Sequence, residues 1–293
     1  MKKYPSNLQV LERGHYEALL KLAFEEDRAV DDASTLAVFP HDDSAKATLV
    51  AREPGLLAGI EVFEAAFLEI DSNISFRRHK ADKDQFQANE HIIDIEGSIR
   101  TILRAERIGL NFISFMSGIA TRTKKYADAA ARYQVKLLDT RKTIPGFRYL
   151  SKYSTAVGGA QNHRMNLAEM GMLKDNHIAK AGNITKAIES FRRACPGIPL
   201  QVEIDSFSQL TDCLASKPDL ILLDNMTNEQ LKKCSDYIHS FNRENNTRVL
   251  IEASGGFNLE NLDRLRDTGV QYVSIGALTQ QVSPVDFGLE ISE

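Results

Sequence analysis

From residue 135 onward the chain alternates short apolar runs with segments of helical spacing. The runs are 135–138, one ending at Leu173, 200–204, 220–223, 249–251 and 272–275. The helical patterns that separate the later runs cover 184–194, 206–214, 229–241 and 259–266. Strands joined by helical crossovers must lie parallel, so six such runs predict an α/β fold with a parallel sheet or barrel. The spacing does not say whether the barrel closes.

In such folds the chemistry gathers where strands end. The first strand leads into Asp139, Arg141 and Lys142, the loop at Gly158-Gly159 into His163 and Arg164, and the second strand into Lys174. Two like charges about 4 Å apart at an effective dielectric near 20 repel by roughly 4 kcal/mol. Cations brought to one mouth therefore imply a polyanionic ligand. The alternative is that they are solvated loop charges, or are neutralised by Asp139 and Asp175.

The later strand ends differ in kind. The third carries Glu203 and Asp205, the fourth Asp224 and Asn225, the fifth runs into Glu252-Ala253-Ser254-Gly255-Gly256, and the sixth into Gly276. Glycines after late barrel strands let backbone N–H groups approach a phosphate. Carboxylates beside phosphate are unfavourable unless they hold a divalent cation or accept from hydroxyls. A sugar phosphate with Mg²⁺ satisfies both conditions; the alternative is that Glu203 and Asp224 simply offset the Lys and Arg set.

The first third lacks the regular alternation. It reads as a helix over 7–28, a break at Asp31–Thr35, a strand over 47–51, a turn at Glu53-Pro54-Gly55, a helix over 60–70, and strands at 74–76 and 85–95. That is an α+β unit with a small sheet. A helix follows over 98–116 with Ser98 as its N-cap, and Ser117-Gly118 is expected to end or bend it. By position alone, Arg107 on this helix is a solvated charge.

A chain of 293 residues allows one large domain or two modest ones, and its net charge of -4 argues against general nucleic-acid binding. Cys195, Cys213 and Cys234 are odd in number and far apart, which fits reduced thiols better than a disulfide framework. No apolar run approaches the roughly 20 residues that span a bilayer, and the first residues lead into no signal-peptide core. The expected location is cytoplasmic.

Taken in order, Glu106-Arg107, Leu110-Asn111, 117–121, Thr140-Arg141-Lys142-Thr143, Gly158-Gly159, Asn162-His163-Arg164 and 174–177 resemble the quinolinate phosphoribosyltransferase family. The resemblance continues through Val202-Glu203, Leu223-Asp224-Asn225 and 252–256 to Gly276, so it covers most of the chain. It implies a type II phosphoribosyltransferase with an N-terminal α/β sandwich and an incomplete α/β barrel of about seven strands, short of the eight that close. The implied division is 1–117 for the sandwich, 118–277 for the barrel, and a tail, 278–293, that returns to the first domain.

The implied activity is transfer of phosphoribose from phosphoribosyl pyrophosphate to quinolinate with decarboxylation. The products are nicotinate mononucleotide, CO₂ and pyrophosphate, in de novo NAD biosynthesis. The resemblance also implies Mg²⁺ and a homodimer whose active site takes Arg107 from the partner subunit.

Residue by residue, it assigns quinolinate to Arg107, Arg141, His163, Arg164 and Lys174, and phosphate groups to Lys142 and Lys174. Glu203 and Asp224 would meet the ribose hydroxyls and the metal, directly or through substrate or water. Ser254, Gly255, Gly256 and Gly276 would hold the 5-phosphate, and Lys142, Lys174, Glu203 and Asp224 stand nearest the chemistry. Ala160 and Gln280 depart from the family pattern, where many relatives carry glycine and histidine. Competing readings are a phosphoribosyltransferase for another heteroaromatic acid such as nicotinate, a non-catalytic sugar-phosphate sensor, and a lyase forming a Schiff base at Lys174.

Overall fold

The computed structural model describes residues 7–292 and divides into two bodies. The first comprises 8–124, 143–159 and the carboxy-terminal segment from 278; the second comprises 125–142 and 160–277. No helix among the described residues is long and apolar enough to cross a membrane.

In the first body, strands β1 (Ser44–Ala51), β2 (Gly55–Leu56), β3 (Ser75–Arg78), β4 (Gln85–Phe86) and β5 (His91–Ser98) make two antiparallel sheets. The larger has the order carboxy-terminal strand, β1, β5, β3, where the carboxy-terminal strand is Phe287–Ser292, paired Ala51 to Phe287 and Lys46 to Ser292. The alternation of β5 puts Ile93 and Ile95 fully inside. The helix Ile60–Leu68 adds Phe63 and Phe67, whose rings lie 4.9 Å apart. Fully burying side chains of this size is worth about 1.5–3 kcal/mol each.

Two expectations for this body need correction. Asp31–Thr35 does not merely break a helix. Asp32 caps a new one, Ala33–Val38, by accepting from the N–H groups of Ser34 and Thr35, which a carboxylate at that position does well. Nor does the long helix end at Ser117-Gly118; it runs from Ile99 to Ala131, and Ser98 caps it through Thr101 N–H at 3.1 Å.

The reason is tertiary. Ser117 Oγ accepts from Ala58 N–H at 3.1 Å and donates to the Ala58 carbonyl, so its hydroxyl is spent between segments and not on ending its own helix. At Gly118, any Cβ would overlap the Ser283 carbonyl oxygen and lie 3.1 Å from Pro284 Cα. The glycine is there for close backbone approach. A further helix, Arg148–Val157, was not legible in the sequence pattern.

In the second body, β6 (Lys136–Leu138), β7 (Gly171–Leu173), β8 (Leu200–Ile204), β9 (Leu220–Asp224), β10 (Leu250–Ser254) and β11 (Tyr272–Ser274) form one parallel sheet. Its order is β6-β11-β10-β9-β8-β7. Among the described residues this incomplete barrel has six regular strands, with an isolated parallel bridge, Leu138 to Gln161, beside β6.

The sheet nevertheless curls. Gln201 Nε2 on β8 donates to Glu252 Oε2 on β10 at 2.8 Å, although β9 lies between them. Strands two apart in a flat sheet are separated by roughly 9–10 Å, so those side chains meet only on a concave face. Arg164, just beyond the Gln161 bridge, donates from Nη1 to the Met170 carbonyl at 2.8 Å and approaches Met172 Sδ at 3.7 Å on β7. One side chain thus links two edges that no backbone ladder joins among the described residues.

Gly118→Ala is expected to destabilise the protein by about 1–3 kcal/mol through overpacking, although alanine is the better helix former by about 1 kcal/mol. Urea unfolding checks this, and a stabilised variant would contradict the close approach.

Candidate active site

In a parallel ladder, paired residues point to the same face and successive residues alternate. The register pairs Met172 with Gln201, Glu203 with Leu222, Leu222 with Glu252, and Asp224 with Ser254. Gln201, Glu203, Asp224, Glu252 and Ser254 therefore share the concave face, and one step beyond Met172–Gln201 on that face Lys174 meets Glu203. Lys174 Nζ donates to Glu203 Oε2 at 2.5 Å, which confirms the geometry.

All of the expected site residues except Arg107 lie in the second body, at the C-terminal edge of its sheet. Along the edge the order is His163 and Arg164, then Arg141 and Lys142 after β6, Gly276 after β11, and Ser254–Gly256 at β10. Asp224 at β9, Glu203 at β8 and Lys174 after β7 complete it. Cations flank the sheet, carboxylates stand toward β7, and the glycines occupy two neighbouring loops. Gly255 and Gly256 have φ of 101° and 64°, values that favour glycine and turn the backbone out of the strand.

Arg141 is half-buried, and its buried Nε has no hydrogen-bond partner among the described residues. An unsatisfied buried donor on a cation costs roughly 1–3 kcal/mol or more, which a bound carboxylate would recover. Lys142 is exposed on a loop shaped by its own N–H donating to Thr140 Oγ1 at 3.1 Å. Arg107 is exposed on the long helix of the first body. Ala160 is buried and Gln280 is exposed.

His163 is placed differently from a simple anion-binding cation. Its Nδ1 accepts from the Arg164 N–H at 2.8 Å, and its Nε2 faces Glu252 Oε2 at 3.5 Å. A ring nitrogen that accepts carries no proton, so Nε2 is the N–H side in this arrangement. Asp139, fully buried, holds the same segment by accepting from Asn162 Nδ2 at 2.7 Å and His163 N–H at 2.8 Å.

Glu252 was not among the expected site residues. Burial alone would push its carboxyl up, but the nearby His163 and hydrogen bonds from His163, Ser274 and Gln201 outweigh that and hold it below the ordinary carboxylate value. The sequence did carry a signal: an acid inside Leu250–Ser254, a strand of a buried parallel sheet that otherwise reads as apolar. Asp139 offers the same lesson at the end of β6.

The described residues contain no group of three or more His, Cys, Asp or Glu side chains able to cage a metal ion. Glu203 and Asp224 are nevertheless of the right kind for Mg²⁺, which is usually held by one or two carboxylates together with water and substrate phosphates.

Cations, carboxylates and glycine loops thus divide along one edge of a curled parallel sheet, the arrangement expected from the resemblance to type II phosphoribosyltransferases. The family description "Quinolinate phosphoribosyl transferase, C-terminal domain" matches residues 119–290, and the corresponding N-terminal domain matches residues 32–117. The chain is 38% identical over 268 residues to nicotinate-nucleotide pyrophosphorylase [carboxylating] of Mycobacterium leprae, covering 89% of this chain and 91% of that one. It is 35% identical over 275 residues to the probable Bacillus subtilis enzyme of the same name, covering 94% and 92%.

Among solved structures, NadC from Streptococcus pyogenes superposes with a TM-score of 0.90 at 36% identity, over 97% of this chain and 99% of that one. The nicotinate-nucleotide pyrophosphorylase from Francisella tularensis gives 0.91 at 31%, over 98% and 99%. The chain belongs to the quinolinate phosphoribosyltransferase family.

Because Glu252 is depressed in the folded state, its stabilising contribution is present above the unfolded value near 4.5 and is lost as pH falls through the lower folded value. Glu252→Gln should flatten the acid limb of the stability curve, while Glu252→Ala should cost about 3–5 kcal/mol by breaking a buried polar cluster. Urea unfolding from pH 7 downward checks both; an unchanged acid limb in Glu252→Gln would contradict the assignment.

Proposed function

We propose that this chain transfers phosphoribose from phosphoribosyl pyrophosphate to quinolinate and releases nicotinate mononucleotide, CO₂ and pyrophosphate. The observation that carries the reading is the shared edge: cations, two carboxylates and two glycine loops at the ends of six adjacent parallel strands. A dicarboxylate acceptor fits the number of cations better than a monocarboxylate such as nicotinate does.

Arg141, Arg164 and Lys174, with Arg107 of the partner subunit, hold the acceptor carboxylates. His163 supports them by fixing the Arg164 backbone against Glu252. Lys142 and Lys174 face phosphate oxygens; Ser254, Gly255, Gly256 and Gly276 receive the 5-phosphate; Glu203 and Asp224 take the ribose hydroxyls. Those two carboxylates would also hold Mg²⁺, directly or through water, and the bound ion would add positive charge where the pyrophosphate leaves.

The reaction asks the residues to position and to neutralise. The pyridine nitrogen forms a bond to C1 of the ribose as the bond from C1 to pyrophosphate breaks, and the electron pair departs with the leaving group. Lys142 and Lys174 offset that growing charge. Lys174 is paired with Glu203 before substrate arrives, so part of its charge is released to phosphate only as Glu203 turns to the hydroxyls. The ring nitrogen, now positive, stabilises the electron pair left on the neighbouring carbon when CO₂ departs, and a proton then takes that pair.

A second copy of the chain is supported by the first body. The face of the long helix that carries Arg107 and Asn111 continues into an apolar groove of about 410 Å³ lined by Leu22, Phe112, Phe115, Ile144 and Phe147. Leu22 and Ile144 are 56% and 51% exposed there. The three cysteines are free, in keeping with a reducing, cytoplasmic setting.

Incubating the protein with quinolinate, phosphoribosyl pyrophosphate and Mg²⁺ should yield nicotinate mononucleotide and CO₂ in equal amounts, lost on chelation. Folded protein that makes neither would contradict the reading. Lys174→Ala should lower kcat by about 10²-fold or more with the fold retained, since its side chain is 47% exposed. Mixing Arg107→Ala and Lys174→Ala subunits under exchange conditions should restore part of the activity; no complementation would argue against a shared site.

A further inference from the structure

Asn225 follows β9 directly and belongs to none of the groups assigned above. Its backbone stands in the left-handed region, at φ 52°, which asparagine tolerates better than most residues. From there its N–H donates to the Ser254 carbonyl at 3.0 Å, extending the β9–β10 pairing one residue beyond Asp224–Ser254. Its side-chain Nδ2 donates to Asp224 Oδ2 at 2.7 Å, which leaves Oδ1 of that carboxylate for a ligand.

The other end of the same amide lies against the glycine loop. A Cβ on Gly255 would overlap Asn225 Oδ1 and come within 2.6 Å of its Cγ and 2.9 Å of its backbone nitrogen. Gly255 is already at φ 101°, so this position is closed to other residues by both conformation and space. By contrast, a Cβ on Gly256 would meet nothing within 4 Å. The tight approach is therefore specific to the glycine over Asn225.

We propose that Asn225 is a positioning residue that holds the Asp224 carboxylate in register with the Gly255–Gly256 loop, so that one amide sets where the ribose hydroxyls are recognised relative to the docked phosphate. The inference rests on the reading of these strand ends as a phosphoribosyl site. A neutral amide suits this place because it donates to the carboxylate and fills the space beneath the loop without adding charge. Were Asn225 only a turn residue, its left-handed backbone alone would matter, and glycine would serve as well.

The test separates the two ends of the ligand. Isothermal titration in Mg²⁺ buffer measures inorganic phosphate, which meets the loop alone, and ribose 5-phosphate, which meets the loop and the carboxylate. For Asn225→Gly, which keeps the backbone freedom, phosphate affinity should stay within about twofold while ribose 5-phosphate weakens about 10-fold, as expected when a hydrogen bond to a charged group is lost. Asn225→Asp, which replaces the donor with a second carboxylate, should weaken ribose 5-phosphate at least as much. In steady-state assays the KM for phosphoribosyl pyrophosphate should rise in both variants while that for quinolinate stays within about twofold, a split expected of the loss of a local contact.

Unchanged ribose 5-phosphate affinity in Asn225→Gly would reduce Asn225 to a turn residue and overturn the proposal. Equal loss of both ligands would overturn it too, by showing that the loop itself had collapsed. If the wild-type protein binds neither ligand, the phosphoribosyl reading fails and the proposal fails with it. If the wild type binds and turns over while the variants match it, only the role of Asn225 falls.

Discussion

The second body depends on a carboxylate buried where an apolar side chain would ordinarily stand. Taking such a charge out of water costs several kcal/mol even after relaxation, so Glu252 is tolerable only with its partners in place. Gln201 on β8 donates to its Oε2 and His163, in the loop beside β6, faces the same oxygen, while Oε1 has no hydrogen-bond partner among the described residues. The two partners come from different parts of the sheet, so holding this carboxylate draws β8, β10 and the loop beside β6 toward one concave face. Arg164 adds the link from that loop to β7, the opposite edge.

A fixed curl gives the strand ends their division of labour. Neighbouring strands are held about 4.8 Å apart by the backbone ladder, which spaces the functional groups along the edge without help from the side chains themselves. Lys174 and Glu203 meet because Met172 pairs with Gln201 two residues earlier on each strand. Asp224 and Ser254 are paired directly, and Asn225 and Gly255 continue that pairing into the loops. The site is thus an extension of the sheet register.

The first body solves a different problem, that of leaving one helical face unspent. Ile108, Leu110, Ile113 and Met116 are buried, while Arg107 and Asn111 remain exposed beside an apolar groove. Burial raises Glu106, next to Arg107, above the ordinary carboxylate value, with Arg107 opposing the shift.

Much of this was legible in the residues. The alternation of apolar runs and helical patterns determined a parallel α/β sheet, because crossover connections admit no other pairing, and the strand ends named Arg141, Lys142, Lys174, Glu203, Asp224 and the glycines. Local pattern also found the cap at Ser98. Only tertiary structure decided that Ser117-Gly118 would continue a helix, since the hydroxyl is taken by Ala58 and the glycine by the passing Ser283 backbone. It likewise turned His163 inward to Glu252 and placed Asn225 beneath Gly255. Periodicity reports which face of an element is apolar, whereas these assignments hinge on which distant atom is available to satisfy a donor or fill a space.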